Sequence, residues 1–201
     1  MNTPTHLSRP PRPRIKDKRA AILRAALEVF AEGGVNGVPI PVLADRAGVG
    51  TGTIYRYFAS KDALVNELFR EQRIALAKRL FVDLSPNAGP YELFVEVWQR
   101  MFDFARQDPD AYRFLELQDH RPYLDDASRS LDSKLLRNIV MTYHGFQVQG
   151  VFRKDIRPEI LLSLVWGSFV NLIRSERDGY LALSQADIDS AGEACWSLCT
   201  G

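Results

Sequence analysis

The chain has 201 residues, 46% of them hydrophobic, and its net charge at pH 7 is only +1. Two cysteines are too few for a disulfide framework, so we expect a reducing compartment. The most apolar segment, residues 160–173, is too short and too often interrupted by polar residues to span a bilayer. No apolar stretch follows the basic residues near the start, so we expect no secretory signal and a cytoplasmic protein without membrane contact.

The charges are unevenly distributed along the chain. Residues 1–61 contain ten Lys and Arg against four Asp and Glu, whereas the rest of the chain has more acidic than basic residues. Such an asymmetry indicates a nucleic-acid or membrane contact confined to one end. Within this end, residues 1–14 interleave four prolines with three arginines, which excludes a helix and predicts a flexible basic arm. The arm could contact a DNA groove or phosphates, or it could be a solvated tail.

From Lys16 onward the apolar residues recur at helical spacing, and no segment alternates as a strand does. The first helix carries Ile22, Ala26 and Phe30 on one face and ends at Gly33–Gly34. Further helices are predicted over 41–47, 51–58, 60–83, 90–107, from 109 to before Pro122, 126–146, 158–178, and from Ser184 onward. The sequence therefore predicts an all-α fold of about nine helices.

Residues 41–58, PVLADRAGVGTGTIYRYF, have the features of a helix-turn-helix motif. This motif needs two short helices joined by a tight turn, and Gly48 supplies a residue that adopts the left-handed turn conformation. Ile54 and Phe58, four residues apart, direct the second helix onto a core. The residues left to face outward are Thr51, Gly52, Thr53, Tyr55, Arg56 and Tyr57. Tyrosines and an arginine on an exposed helix suit contacts to phosphates and base edges.

The segments ALEVFAEGG (26–34), LA (43–44), AGV (47–49), GTIYRYF (52–58) and SKDAL (60–64) resemble the tetracycline-repressor (TetR) family over residues 16–70. The resemblance implies a DNA-binding domain over residues 15–61 and an effector-binding and dimerisation domain over residues 62–201. It also implies a homodimer that binds a palindromic duplex as a transcriptional repressor. A small, largely apolar effector would control its DNA affinity.

Carried over by position, the resemblance places Thr51, Gly52 and Thr53 at the groove-facing start of the recognition helix. Tyr55 and Tyr57 would contact backbone phosphates, Arg56 would contact a base edge, and Lys61 would grip a phosphate at a helix N-terminus. The chain departs from the family pattern at Pro39, where a Ser or Thr cap is usual, and at Gly50, where a serine is usual.

Residues 90–180 are rich in aromatic side chains, most of which must belong to a core. A subset, joined by a few polar groups, would line an effector pocket. The candidates for this pocket are Trp98, Phe102, Tyr112, His120, Tyr143, His144, Trp166, Asn171 and Arg174. The helix over 158–178 is apolar on two sides, so one side can meet a second copy of the chain. The candidates for this dimer interface are Trp166, Phe169 and Trp196.

Other classes of function have weaker support in the sequence. The GVGTG run at 48–52 is no dinucleotide loop, because Thr53 stands where the third glycine belongs and a helix precedes it. Cys195 and Cys199 share a helix face, but a metal site needs more ligands than this pair, so we predict no metal and no cofactor. No nucleophile and base occur at a usable spacing, so we predict no catalytic residue. The alternatives are a regulator without an effector and a small helical enzyme or ligand carrier.

Overall fold

A computed structural model describes residues 15–117 and 119–201, so the predicted arm at 1–14 lies outside the described residues. The described residues form nine α-helices and no strand: α1 (Ile15–Gly37), α2 (Ile40–Arg46), α3 (Thr51–Tyr57), α4 (Lys61–Phe81), α5 (Pro90–Gln107), α6 (Pro109–Leu117), α7 (Asp126–Val148), α8 (Pro158–Arg177) and α9 (Gln185–Thr200). The predicted all-α fold class is confirmed. Among the described helices, none has the length and apolar character required to cross a membrane.

The helices begin where the sequence supplies caps. The Ser60 side chain accepts a hydrogen bond from the Ala63 amide, and Ser184 forms a reciprocal capping box with Asp187. Prolines occupy the first position of α5, α6 and α8, where a missing N–H costs nothing. One end differs from the prediction: the backbone leaves helical geometry at Gly34, with φ of 68°, and then returns to it as far as Gly37.

The first three helices and the start of α4 enclose a small core. Its buried side chains come from all four elements: Ile22, Ala26, Val29, Phe30, Leu43, Ile54, Phe58 and Leu64. Burying each of the larger ones stabilises the fold by about 1.5–3 kcal/mol. Because Ile54 and Phe58 are both in this core, they fix the side of α3 that faces the protein and hence the side that faces out.

Helix α5 lies at the centre of the remaining helices. The Trp98 indole Nε1 donates to the Ile188 carbonyl of α9 over 2.8 Å, and Phe102 packs edge-on against Phe169 of α8 with 5.2 Å between ring centroids. Gly192 of α9 lies directly against the Trp98 ring. These contacts join α5, α8 and α9 into one packed unit.

Helix α4 connects this unit to the first three helices. It packs against α1 at one end and against α5, α6 and α7 along its length, and α6 also packs along α1. The buried apolar side chains form one continuous cluster across both parts of the chain. The division into domains at residue 61 stays a prediction.

Replacing Gly192 by alanine tests the packing of α9 on α5. The added Cβ would lie 2.8 Å from Trp98 Cδ1 and 3.0 Å from Nε1, and the ring is held in place by its hydrogen bond to Ile188. We expect Gly192→Ala to lower the free energy of unfolding, measured by chemical denaturation, by about 1–3 kcal/mol, as overpacked cores do.

Gly145→Ala is the matched control, because Gly145 also lies inside a helix but no atom lies within 4 Å of its added Cβ. Alanine is the better helix former there, so we expect a change between zero and a gain of about 1 kcal/mol. Equal losses in the two variants would contradict the packing described for Trp98.

Candidate functional site

The turn between α2 and α3 has the geometry of a helix-turn-helix. Gly48 has φ of 65°, the left-handed conformation that ends α2, and the Val49 amide donates back to the Ala44 carbonyl over 3.0 Å. Pro39 and Gly50 stand at the N-caps of α2 and α3, and neither supplies a side-chain hydrogen bond. Both departures from the family pattern therefore leave the helix starts without a hydroxyl cap.

Helix α3 presents a polar and aromatic surface to solvent. Gly52, Tyr55 and Arg56 are exposed, whereas Thr51, Thr53 and Tyr57 are half-buried at its edges. The Arg56 guanidinium lies 5.8 Å from the centroid of the Tyr57 ring, a cation–π distance. Among the described residues, Arg56 has no carboxylate partner, so its donors are available to a ligand on this face.

Lys61, by contrast, is engaged within the protein. Its Nζ donates to the Val38 carbonyl over 2.6 Å and lies 5.9 Å from the centroid of the Phe30 ring. Partial burial lowers its pKa. An ammonium group has three donors, so a second contact to a phosphate stays geometrically open. Lys61 thus also holds the segment before α2 in place through its bond to Val38.

Two other arginines of this region are held by glutamates. Arg46 pairs with Glu28 over 3.0 Å, and Arg19 pairs with Glu67 and Glu71 of α4. These pairs tie α1 to α2 and to α4. Surface pairs of this kind contribute little stability, but they reduce the positive charge that Arg46 and Arg19 can offer to an anion.

A cavity of about 460 Å³ lies between α4, α5, α7 and α8. Its walls are aliphatic and aromatic, and among the described residues no charged side chain lines it. The polar groups at its surface belong to Asn138, Thr142 and Tyr143 of α7. Burial raises the pKa of the Tyr143 hydroxyl, so the group stays neutral at physiological pH. The cavity suits an uncharged, largely apolar molecule.

Three of the predicted pocket residues, Trp98, Tyr143 and Trp166, line this cavity. Three others are buried elsewhere in the core. Phe102 packs on Phe169, and the Tyr112 hydroxyl donates to the Val170 carbonyl over 3.3 Å. His120 is packed between aromatic rings and bonded to the Phe114 carbonyl, and burial lowers its pKa.

The remaining three predicted pocket residues, His144, Asn171 and Arg174, do not line this cavity. All three side chains are exposed, because they lie on the sides of α7 and α8 that face away from the cavity. The polar groups that reach the cavity belong instead to other residues of α7, namely Asn138, Thr142 and Tyr143. Several cavity residues were missed, namely Ala77, Leu80 and Phe81 of α4 and Val97 of α5. The only signal for them was the apolar face of each helix.

The three predicted interface residues face their own protomer. Phe169 is fully buried, and Trp166 stands in the cavity wall with its Nε1 donating to Glu116 over 2.9 Å. Trp196 packs edge-on against Phe94 and Phe152. These three side chains therefore pack within their own protomer, and their part in a dimer interface stays a prediction. The opposite side of α8 and α9 is exposed and made of apolar and small residues: Ile160, Leu164, Gly167, Ser168, Ala194 and Leu198.

Helix α4 is fixed to the start of α7 by three polar side chains at successive turns. Asn66 Nδ2 donates to the Tyr123 carbonyl over 2.7 Å, and Asn66 Oδ1 accepts from the Asp125 amide over 2.8 Å. Arg70 Nη1 donates to Ser128 Oγ over 2.8 Å and pairs with Asp125. Arg73 approaches Asp132 of α7 and also pairs with Glu116 of α6. We call Asn66, Arg70 and Arg73 the α4 clamp.

Within the described residues, no group of side chains is arranged to hold a metal ion. Cys195 and Cys199 are free and buried in α9. Burial raises the pKa of the Cys199 thiol to about 12, so this thiol is not a reactive nucleophile. The prediction that the two cysteines are packing residues agrees with this burial.

Comparison with known families matches both parts of the chain. Residues 22–68 match the family described as bacterial regulatory proteins, tetR family. Residues 69–200 match the family described as tetracyclin repressor-like, C-terminal domain. The two matches are adjacent and together include the helix-turn-helix, the cavity and the exposed side of α8 and α9.

Individual relatives are similar over most of their length. The fatty acid metabolism regulator protein of Bacillus subtilis is 26% identical over 142 residues, which cover 71% of this chain and 72% of the relative. The HTH-type transcriptional repressor KstR2 of Mycobacterium tuberculosis is 24% identical over 159 residues, 76% of each chain. A solved TetR family transcription regulator from Marinobacter aquaeolei has the same fold, with a TM-score of 0.81 at 19% identity over 92% of this chain and 96% of that one.

Proposed function

The chain belongs to the tetR family of bacterial regulatory proteins and is a DNA-binding transcription regulator, and we propose that it represses transcription as a homodimer whose operator affinity is controlled by an apolar ligand in the cavity. The relatives named above are transcription regulators and not enzymes, which disfavours the alternative of a helical enzyme or ligand carrier. The cytoplasmic location predicted from the sequence is part of this proposal.

The observation that supports ligand control is that one helix serves both sites. Helix α4 starts three residues after α3 and packs on α1, while Ala77, Leu80 and Phe81 near its other end form a wall of the cavity. A ligand that prefers one position of α4 therefore favours one orientation of α3. A cavity without a regulatory role would not need to be lined by the helix that also contacts the DNA-binding helices.

The uncharged walls of the cavity support a small, largely apolar ligand. The relative from Bacillus subtilis is named for fatty acid metabolism, which agrees with an apolar effector class. The alternative, a regulator without an effector, predicts that filling the cavity leaves DNA affinity unchanged.

The exposed side of α3 supports direct contact with the major groove. We propose that Thr51, Gly52 and Thr53 approach the bases and that Arg56 contacts a base edge. Tyr55, Tyr57 and Lys61 would contact phosphates, which position the helix without reading sequence. Gly52 has no atom near its missing side chain, so its backbone is open to close approach by DNA.

We propose that the dimer forms through the exposed side of α8 and α9 instead of the predicted Trp166, Phe169 and Trp196. Ile160, Leu164 and Leu198 are exposed apolar side chains on this side. Gly167, three residues after Leu164 on α8, has open space above it, as a close helix–helix contact requires. Two copies would then pack four helices around a two-fold axis, with self-complementary surfaces.

Selection of duplexes from a random pool tests the proposal as a whole. We expect a palindromic winner bound with a dissociation constant of about 10⁻⁸–10⁻¹¹ M, whose affinity falls steeply with salt. Saturation with N-phenyl-1-naphthylamine, an uncharged probe that fluoresces in apolar cavities, should change this affinity by about fivefold or more. Absence of any salt-sensitive binding would refute DNA recognition, and an unchanged affinity with bound probe would refute ligand control alone.

Two substitutions separate the proposed roles of the cations at the DNA face. Arg56→Ala should cost about 1–3 kcal/mol on the selected duplex and relax specificity at one base pair. Lys61→Met should weaken all duplexes alike and reduce the salt dependence by about one phosphate contact. Both are measured by fluorescence anisotropy on selected and random duplexes.

Arg129→Ala provides the control, because Arg129 is a solvent-facing arginine of α7 whose partners, Asp126 and the Leu124 carbonyl, both lie within five residues of it and far from α3 in the chain. The Arg129→Ala variant should bind every duplex with the same affinity as the unaltered chain. Equal losses on selected and random DNA for Arg56→Ala would remove its assigned role in specificity.

Leu164→Glu tests the dimer. Two copies of this carboxylate would face each other near the two-fold axis, so we expect sedimentation to show a monomer at micromolar concentration. Leu181→Glu is the matched control, since Leu181 in the loop after α8 is 45% exposed and Leu164 is 43% exposed. A dimer that survives Leu164→Glu, or an unaltered chain that is monomeric, would show that this side is not the interface.

A further inference from the structure

The cavity between α4, α5, α7 and α8 has a mouth and a closed interior. Three of its lining residues are also exposed to solvent, namely Phe81 at the end of α4 and Asn138 and Thr142 of α7. A residue that lines a cavity and is exposed stands where the cavity meets solvent. Other lining side chains are apolar and no more than 4% exposed: Leu80, Trp98, Met101, Phe152 and Val165. These buried side chains close the interior.

The mouth carries hydrogen-bonding groups that a ligand can reach. Asn138 and Thr142 are four residues apart, so they lie on the same side of α7, one turn from each other. The Thr142 hydroxyl donates to the Asn138 carbonyl over 3.2 Å, which leaves the hydroxyl oxygen able to accept. The Asn138 side-chain amide makes no hydrogen bond to the part of the chain that the structure describes. A polar group at the mouth can therefore bond to both residues.

The interior offers a polar group far less. The Trp166 N–H already donates to Glu116, which leaves the buried Tyr143 hydroxyl as the one side-chain polar group of the interior lining among the described residues. A head group placed there would lose its water without a full set of new hydrogen bonds, which is unfavourable. An alkyl chain in the same place gains from burial against aliphatic and aromatic walls. The two ends of an amphipathic molecule are thus assigned to different parts of the cavity.

Charged residues of both signs occur beside the mouth in the chain. Lys134 lies one turn before Asn138 on α7, and Asp83 lies two residues after Phe81. Both are exposed, so solvent screens them. We therefore expect hydrogen bonds, and not one net charge, to hold a head group at the mouth.

We propose that the effector is a single-chain amphiphile that lies tail-first in the cavity, with its head hydrogen-bonded to Asn138 and Thr142 at the mouth. Because the mouth is open to solvent, the volume of about 460 Å³ limits the tail and not the head. A head much larger than the cavity is therefore compatible with binding. This inference rests on the proposed function of the cavity and adds the chemical class and the orientation of the ligand.

Displacement of N-phenyl-1-naphthylamine from the full chain tests the open mouth. 1-Decanol and decyl maltoside carry the same alkyl chain, but the head of the second compound is a disaccharide. Below their micellar concentrations, both should displace the probe at concentrations within about threefold of each other, because the same tail is buried and both heads stay in water. A larger excess of decyl maltoside would show that the cavity encloses its whole ligand, which would overturn the inference.

Asn138→Asp tests where the head lies, because it keeps the size of an exposed side chain and adds a negative charge at the mouth. At low ionic strength, this variant should require about fivefold more decanoate and about fivefold less decylamine to displace the probe. The concentration of 1-decanol, whose head is uncharged, should stay within about twofold of that for the unaltered chain.

Asn36→Asp is the matched control, since Asn36 is an exposed asparagine of α1 that does not line the cavity. It should leave the displacement by all three compounds unchanged. If decanoate and decylamine responded alike to Asn138→Asp, the placement of the head at Asn138 would be wrong. Failure of the probe itself to bind the unaltered chain would refute the proposed cavity function instead.

Discussion

The α4 clamp is the constraint on which the relation between the two sites depends. Asn66, Arg70 and Arg73 stand at successive turns of one helix, and each contacts the segment 123–132 at the start of α7. Asn66 is 3% exposed and has both ends of its amide bonded, so removal of one partner would strand a buried polar group. Since α7 also walls the cavity, α4 cannot shift along it without breaking these bonds.

Polar groups beside the cavity also connect its wall to α4, through Arg73. Trp166 in the cavity wall donates to Glu116, and Glu116 pairs with Arg73, so a side chain that a ligand touches is joined by two contacts to α4. Buried ion pairs contribute little net stability, because desolvation offsets most of the attraction. These contacts instead restrict the geometry, because each hydrogen bond and ion pair has one favourable arrangement. All of the contacts can persist only if α6, α7 and α8 keep their spacing.

The features of the fold that the sequence predicts are those determined by residues close together in the chain. The capping box at Ser184, the prolines that open α5 and α8, and Gly48 in its turn are readable because each acts within a few residues. The outward side of α3 was predictable because Ile54 and Phe58 define its inward side. The buried side of α8 could not be predicted, because this helix is apolar on two sides and its packing against α5, α7 and α9 decides which side is buried. Arg73 and Glu116 lie 43 residues apart, and no local pattern pairs them.

If a ligand acts through α4 as proposed, the position of the clamp along this helix sets how far the DNA-binding helices would move. Arg70, at the centre of the clamp, lies nine residues after Lys61 and a similar distance before Leu80 in the cavity wall. With a rise of about 1.5 Å per residue, the two arms are about 14 and 15 Å long. A helix that tilts about the clamp therefore moves its DNA-proximal end by about as much as a ligand moves the cavity end. Hydrogen bonds to bases tolerate only about half an ångström in length, so in the proposed dimer a displacement of about one ångström at this end of α4 would be enough to weaken DNA binding.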